Sequence, residues 1–256
     1  MNRLQFDDRL RVFALASSVA VSVIILSRIV MYGIDRTMTV ASLSVPRWGG
    51  VLLSIGIQQG VIFLGACMLF LRWRGLSTDW LGISRPDIRG GLWIIGGWFG
   101  TLVGVVVVSI VVVFGVGVLP AQNKIGGVIA SDPTIVTLLI PLMILVVGPS
   151  EELVFRGIVQ GTLRERFGPV SAIGLSSLIF ASVHFYSLTG APLQRVLSIG
   201  LLLVPALVLG TAYERTGNIV VPSIIHGFYN ATLLWLSYLS MKFSSEAAFV
   251  GTLWIW

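Results

Sequence analysis

The stretch Glu151-Glu152-Leu153-Val154-Phe155-Arg156 sets two carboxylates and a guanidinium directly after an apolar run. An ionised group in hydrocarbon costs about 2.5–3.5 kcal/mol on insertion scales, so such a cluster persists only where it is paired, wetted or used. The chain has two histidines, His184 and His226, and each lies in an apolar stretch further on. Asn230 follows His226 by four residues and so shares its helical face. A carboxylate facing an imidazole can share a proton or hold a water, and a desolvated carboxylate is a general base for that water. Glu152 and Arg156 stand at the i, i+4 spacing of an ion pair along a helix. Glu151 lies about 100° round the same helix. The spacing assigns Glu152 and Arg156 to support and leaves Glu151 for chemistry.

Composition sets the surroundings of these residues. Of 256 residues, 55% are hydrophobic and 11% charged, against about 25% charged in a soluble domain. Mean hydropathy is +0.94. The apolar runs are continuous, whereas a membrane barrel would alternate apolar and polar residues. The fold class is therefore all-α, a polytopic transmembrane helical bundle with about seven (six to eight) spans and an intramembrane polar cavity. The net charge of +6 reads as loop charge facing one side of a bilayer, not as a nucleic-acid surface. The single Cys67 reads as a packed small side chain.

At about 20 apolar residues per span, seven spans fall near Val12–Tyr32, Val51–Leu71, Leu92–Val118, Thr134–Val159, Val170–Leu188, Val196–Ala212 and Ile219–Leu239. The apolar tail Ala247–Trp256 reads as an interfacial segment or a short eighth helix. Gly168-Pro169 and Gly217-Asn218 are turn signals. Asp132-Pro133 reads as a helix cap, and Tyr213-Glu214-Arg215 as a solvated loop end. No strong internal repeat is visible, so residues 1–256 read as one integral domain. Arg28, Arg36, Arg47, Lys124, Arg195 and Lys242 fall on one side, and the other eleven of the 17 basic residues on the side of the N-terminus. The positive-inside rule then puts the N-terminus in the cytoplasm.

If spans four and five form an antiparallel hairpin turning at Phe167-Gly168, Glu151 and His184 are equidistant from the turn. Each lies roughly 20–25 Å along its helix from it. Asn230 lies roughly 18–20 Å from the Gly217-Asn218 turn, with His226 about one turn shallower. Glu151, Glu152, His184, His226 and Asn230 can thus line one cavity. The expectation is a water-filled cavity opening to the cytoplasm, or laterally near that leaflet, with Glu151, His184 and Asn230 at its floor and His226 lining part of its mouth. A lone histidine on an apolar helix is more often a packing residue, and a lone Glu–Arg pair more often helix–helix glue. It is the coincidence of all of them at matching depth that points to a site. Two histidines and a glutamate could also ligate zinc with an open water position. That ligand set would be Glu151, His184 and His226. The His-Glu-x-x-His spacing is absent, and the same residues serve as a metal-free acid–base site.

Glu-Glu-x-x-x-Arg at 151–156, Phe-x-x-x-His at 180–184 and His-x-x-x-Asn at 226–230, each on its own span, resemble the CPBP intramembrane proteases. This is the family of the type II CAAX prenyl endopeptidases and Abi proteins. The resemblance covers residues 134–240, and Thr211–Ile219 followed by Pro222 is family-like as well. It implies an endopeptidase in which Glu151 and His184 activate water while His226 and Asn230 stabilise the oxyanion, with Glu152 and Arg156 in support. It implies membrane-tethered protein or peptide substrates, prenylated CAAX proteins among them, and the lipid bilayer as partner; no nucleic acid is implied. The family has been described both as metalloproteases and as metal-free glutamate enzymes, and the residues here favour the second. The competing class is a non-proteolytic binding, immunity or transport protein using the same cluster. Repeated halves around a midplane site would mark a transporter, whereas here the polar residues crowd into one half.

Overall fold

A chain in hydrocarbon must satisfy its own backbone N–H and C=O groups, and helices do this within one segment. The computed structural model describes residues 3–243, so the tail Ala247–Trp256 lies outside the described residues. Its long elements are α1 (Arg3–Val40), α2 (Arg47–Arg74), α3 (Ile88–Val116), α5 (Pro133–Arg164), α6 (Pro169–Ser187), α7 (Pro192–Thr216) and α8 (Val220–Phe243). A short α4 (Ile125–Ser131) precedes α5. Six of the helices, α1 from Asp7 onward, α2, α3, α5, α6 and α7, are long and apolar enough to cross a membrane. The 24 residues of α8 include Pro222, Ser223, His226 and Asn230, and this more polar helix is not among the six. The polytopic helical bundle expected from the sequence is thus six apolar rods with one polar-faced companion.

Local signals set the helix ends. Pro169 and Pro192 open α6 and α7, where a missing N–H leaves no carbonyl unpaired. The Asp132 carboxylate accepts from Thr134 N, as the cap reading required. Gly217 closes α7 at a φ of 60°, a conformation that costs glycine nothing. The Tyr213–Arg215 stretch is not a loop but the last turn of α7, and Glu214 pairs with Arg164 at 3.0 Å.

Successive helices alternate in direction, and each end of the bundle is closed by its own contacts. At the end holding the Phe167 turn, Arg74 meets Glu165 at 2.8 Å, and Asn218 Nδ2 donates to Ser84 O at 2.9 Å. At the other end, two short strands, β1 (Gln122–Asn123) and β2 (Leu188–Thr189), pair antiparallel. Cys67 is fully buried in a cluster with Phe70, Leu81 and Ile158, as its packing reading required.

Two departures from regular helix bear on the site. In α5, wide π turns at Met143–Val147 and Leu153–Gln160 bracket Gly148–Glu152. Pro141 and Pro149 fall in this rod, and each removes a ladder N–H and crowds the preceding turn. In α6 the α-helical part ends at Val183, and His184–Ser187 continue as a tighter 3-10 turn.

Helices α5 and α8 meet through glycine. A Cβ at Gly227 would lie 2.6 Å from Ile144 Cα, and one at Gly148 would lie 2.8 Å from Ser223 O. Both obstacles are backbone, so no rotamer change relieves them. This close crossing carries His226, the neighbour of Gly227, up to Glu152. Gly227→Ala is expected to push the helices apart and destabilise the protein by about 1–3 kcal/mol, read as a lowered Tm in detergent. Gly174→Ala, where a Cβ meets nothing within 4 Å, is expected to leave Tm unchanged or slightly raised.

Candidate active site

The two carboxylates of α5 go to different surroundings. Glu152 is fully buried, as is Arg156. Arg156 Nε lies 3.2 Å from Glu152 Oε2. This is an ion pair without hydrogen-bond alignment, since neither atom has a hydrogen-bonding partner. The guanidinium also donates from Nη2 to Ala206 O at 3.1 Å and lies 4.7 Å over the Phe180 ring. The other oxygen of Glu152 lies 2.8 Å from His226 Nδ1. Glu152 therefore bridges Arg156 and His226, whereas the spacing in sequence had assigned it to Arg156 alone. An ionised carboxylate only accepts, so His226 donates through Nδ1 and turns Nε2 outward.

Glu151 is half-buried at the edge of a cavity. Its Oε2 lies 3.9 Å from His184 Nε2 and 3.9 Å from His226 Nε2. His184 Nδ1 lies 2.7 Å from Phe180 O. A carbonyl can only accept, so the proton sits on Nδ1, and Nε2 of the neutral ring presents its lone pair to the cavity. Phe180 serves three neighbours besides Arg156: its ring packs at 4.6 Å from His184, 5.9 Å from His226 and 5.0 Å from Phe155. Asn230 is half-buried, lines the same cavity and directs Nδ2 toward Met143 Sδ at 4.0 Å. All six residues singled out in the sequence thus meet at one place.

The cavity holds about 310 Å³. Its lining runs from Phe63, Phe155, Leu209 and His226 to Arg28, Gln58, Asn123, Ser187 and Ser237. Asn123 lies in β1 and Ser187 adjoins β2, so the cavity reaches the bundle end that carries these strands. The cavity therefore extends away from the arginine-rich turns, not toward them as expected. His226, only 5% exposed, is at its floor rather than its mouth. The expectation failed because it took depth from the nearer turn. The ion pairs Arg74–Glu165 and Arg164–Glu214 tie the helices together at that end, and the space lies on the other.

Gln59 was missed in the sequence. It is buried in a wide π turn, Gly56–Phe63 of α2. Its Nε2 donates to Glu151 Oε1 at 3.1 Å, and its Oε1 accepts from Ser150 Oγ at 2.7 Å. The signal was present: Gln58-Gln59 interrupts an otherwise apolar span.

Glu151, His184 and His226 converge, yet among the described residues no group of three His, Cys, Asp or Glu side chains is arranged to hold a metal ion.

Fold and site together define a polytopic helical membrane protein with a buried carboxylate–imidazole centre. Residues 133–232 match the family described as Type II CAAX prenyl endopeptidase Rce1-like. The match takes in all six motif residues while covering less than half of the chain, and this segment is similar to the CPBP/CAAX protease family. At that coarse level the match supports a protease of the membrane, and proteins of that family act on membrane-associated protein substrates. No curated protein and no solved structure matches the chain.

Arg156→Ala leaves a buried carboxylate without its cation, which costs about 3–5 kcal/mol when burial is complete. A marked fall in Tm or in folded yield is expected. An unchanged Tm would mean that water reaches Glu152.

Proposed function

We propose that the protein is an intramembrane endopeptidase in which Glu151 and His184 activate water against a peptide bond of a membrane-tethered substrate. The observation that carries this reading is the single free oxygen of Glu151, 3.9 Å from two imidazole nitrogens at the wall of a cavity. That separation is too long for a direct hydrogen bond and suits a water shared between them. Glu151 takes a proton from this water as its oxygen adds to the substrate carbonyl carbon. The same proton then passes to the leaving nitrogen as the C–N bond breaks, giving a carboxylate and an amine. His184 orients the water through Nε2. The developing oxyanion falls to His226 and Asn230, a task suited to preorganised donors. His226 donates from Nε2 when its ring carries both protons, its charge balanced by Glu152.

The walls of the cavity, among them Ile24, Phe63, Val183 and Leu202, suit an apolar peptide. The aliphatic residues of a prenylated CAAX terminus are a substrate of that kind, and the family match favours them. Glu151→Gln is expected to abolish cleavage of a prenylated CAAX peptide by the purified protein while leaving Tm within a degree or two. Wild-type turnover in that variant would remove Glu151 from the mechanism. Turnover is expected to survive a chelator, and loss of activity restored by zinc would replace this mechanism with a metal-dependent one.

Orientation follows from the arginine bias, which assigns the end bearing the Phe167 turn to the cytoplasm. The cavity then extends toward the opposite leaflet. In a Cys67→Ala background, Gly168→Cys should react with an impermeant thiol reagent only in inverted vesicles. Ser187→Cys, in the cavity wall, should react only in right-side-out ones. The reverse pattern would invert the assignment.

A further inference from the structure

Gln59 belongs to α2, outside the segment that matches the protease family. It is 6% exposed, and a buried amide without partners is costly. Both ends of this amide are used, and the partners fix which end points where. The Ser150 hydroxyl donates to Gln59 Oε1 at 2.7 Å, its other contact being a longer 3.1 Å to Val147 O. That leaves only the donor end, Nε2, for Glu151 Oε1. The carboxylate of Glu151 is thereby divided. Oε1 is held by a neutral donor, and Oε2 alone faces His184 and His226.

We infer that Gln59 is a positioning residue for Glu151, setting the carboxylate so that one oxygen is presented to the two imidazoles, with Ser150 orienting the amide. This rests on the reading of Glu151 as the base. Gln59 does not face the reacting atoms itself; it acts through Glu151. The wide turn at Gly56–Phe63 belongs to the same device, since π turns displace a helix surface locally and recur at functional sites. The N-terminal helices thus complete a centre whose other members all come from α5, α6 and α8.

The test uses the purified full-length protein and a prenylated CAAX peptide. Gln59→Met keeps the length of the side chain and removes the donor. It should lower kcat about tenfold to a hundredfold, the effect of a lost hydrogen bond to a charged group. KM should stay within about twofold of wild type. Ser150→Ala should lower kcat less, and should add little in the Gln59→Met background, because it works through the amide. A helix-packing role alone would lower Tm without this split and without this non-additivity. A second readout needs no turnover: modification of Glu151 by a hydrophobic carbodiimide, followed by mass spectrometry, with Glu151→Gln as blank. With Oε1 uncovered, the carboxyl should react about tenfold faster in Gln59→Met, and faster also in Ser150→Ala should the first variant fail to fold. Unchanged kcat together with an unchanged modification rate overturns the inference. If Glu151→Gln cleaves normally, or wild type cleaves nothing, the base reading fails separately, and the modification rate alone decides whether Gln59 holds Glu151.

Discussion

Two adjacent carboxylates on one helix can both be accommodated in an apolar bundle only if each has its own partners. Everything else at this centre follows from that constraint. Glu152 is fully buried and meets it with a guanidinium on one oxygen and an imidazole on the other. Desolvation makes such an ion pair a poor source of stability. Its effect is on geometry: it joins two turns of α5 to α8 and fixes which nitrogen of His226 is turned to the cavity. Glu151 meets the constraint with a neutral amide on one oxygen, leaving the other directed at two imidazoles 3.9 Å away.

The backbone is shaped to serve this division. Gly148 and Gly227 let α5 and α8 approach until a methyl group would strike main chain, which is the approach the short Glu152–His226 contact needs. The wide turns on either side of Gly148–Glu152 and around Gln59 shift side chains off regular helical positions. Phe180 fills the space among Arg156, His184, His226 and Phe155. A single ring thereby supports both the buried ion pair and the partly buried imidazole of His184. The proposed hydrolysis of a peptide bond needs water beside a carboxylate that lipid would exclude. Placing the ion pair beneath the floor and the free oxygen in the cavity wall separates the dry task from the wet one.

The helical bundle was legible in the sequence because a bilayer leaves few alternatives. Continuous apolar runs of about 20 residues must be helices that satisfy their own backbone, and proline and glycine mark their ends by local stereochemistry alone. The six motif residues were legible for a related reason. Charges and histidines are costly in apolar spans, so their presence at matching depths is informative without coordinates. The Glu152–Arg156 pair, a contact within one helix, followed from spacing, whereas Tyr213–Arg215 was misread because a helix can carry polar residues through its last turn.

What only the tertiary structure decided were contacts across helices and the location of empty space. Residues 92 positions apart, Gln59 and Glu151, meet through the rotation of α2 against α5, and no periodicity encodes that angle. Glu152 finds His226 74 residues away because two glycines allow a close crossing. The direction of the cavity was read wrongly from the sequence for the same reason. Depth along a helix is a local quantity, set by 1.5 Å per residue. Which end of a bundle closes depends on how all its helices pack at once.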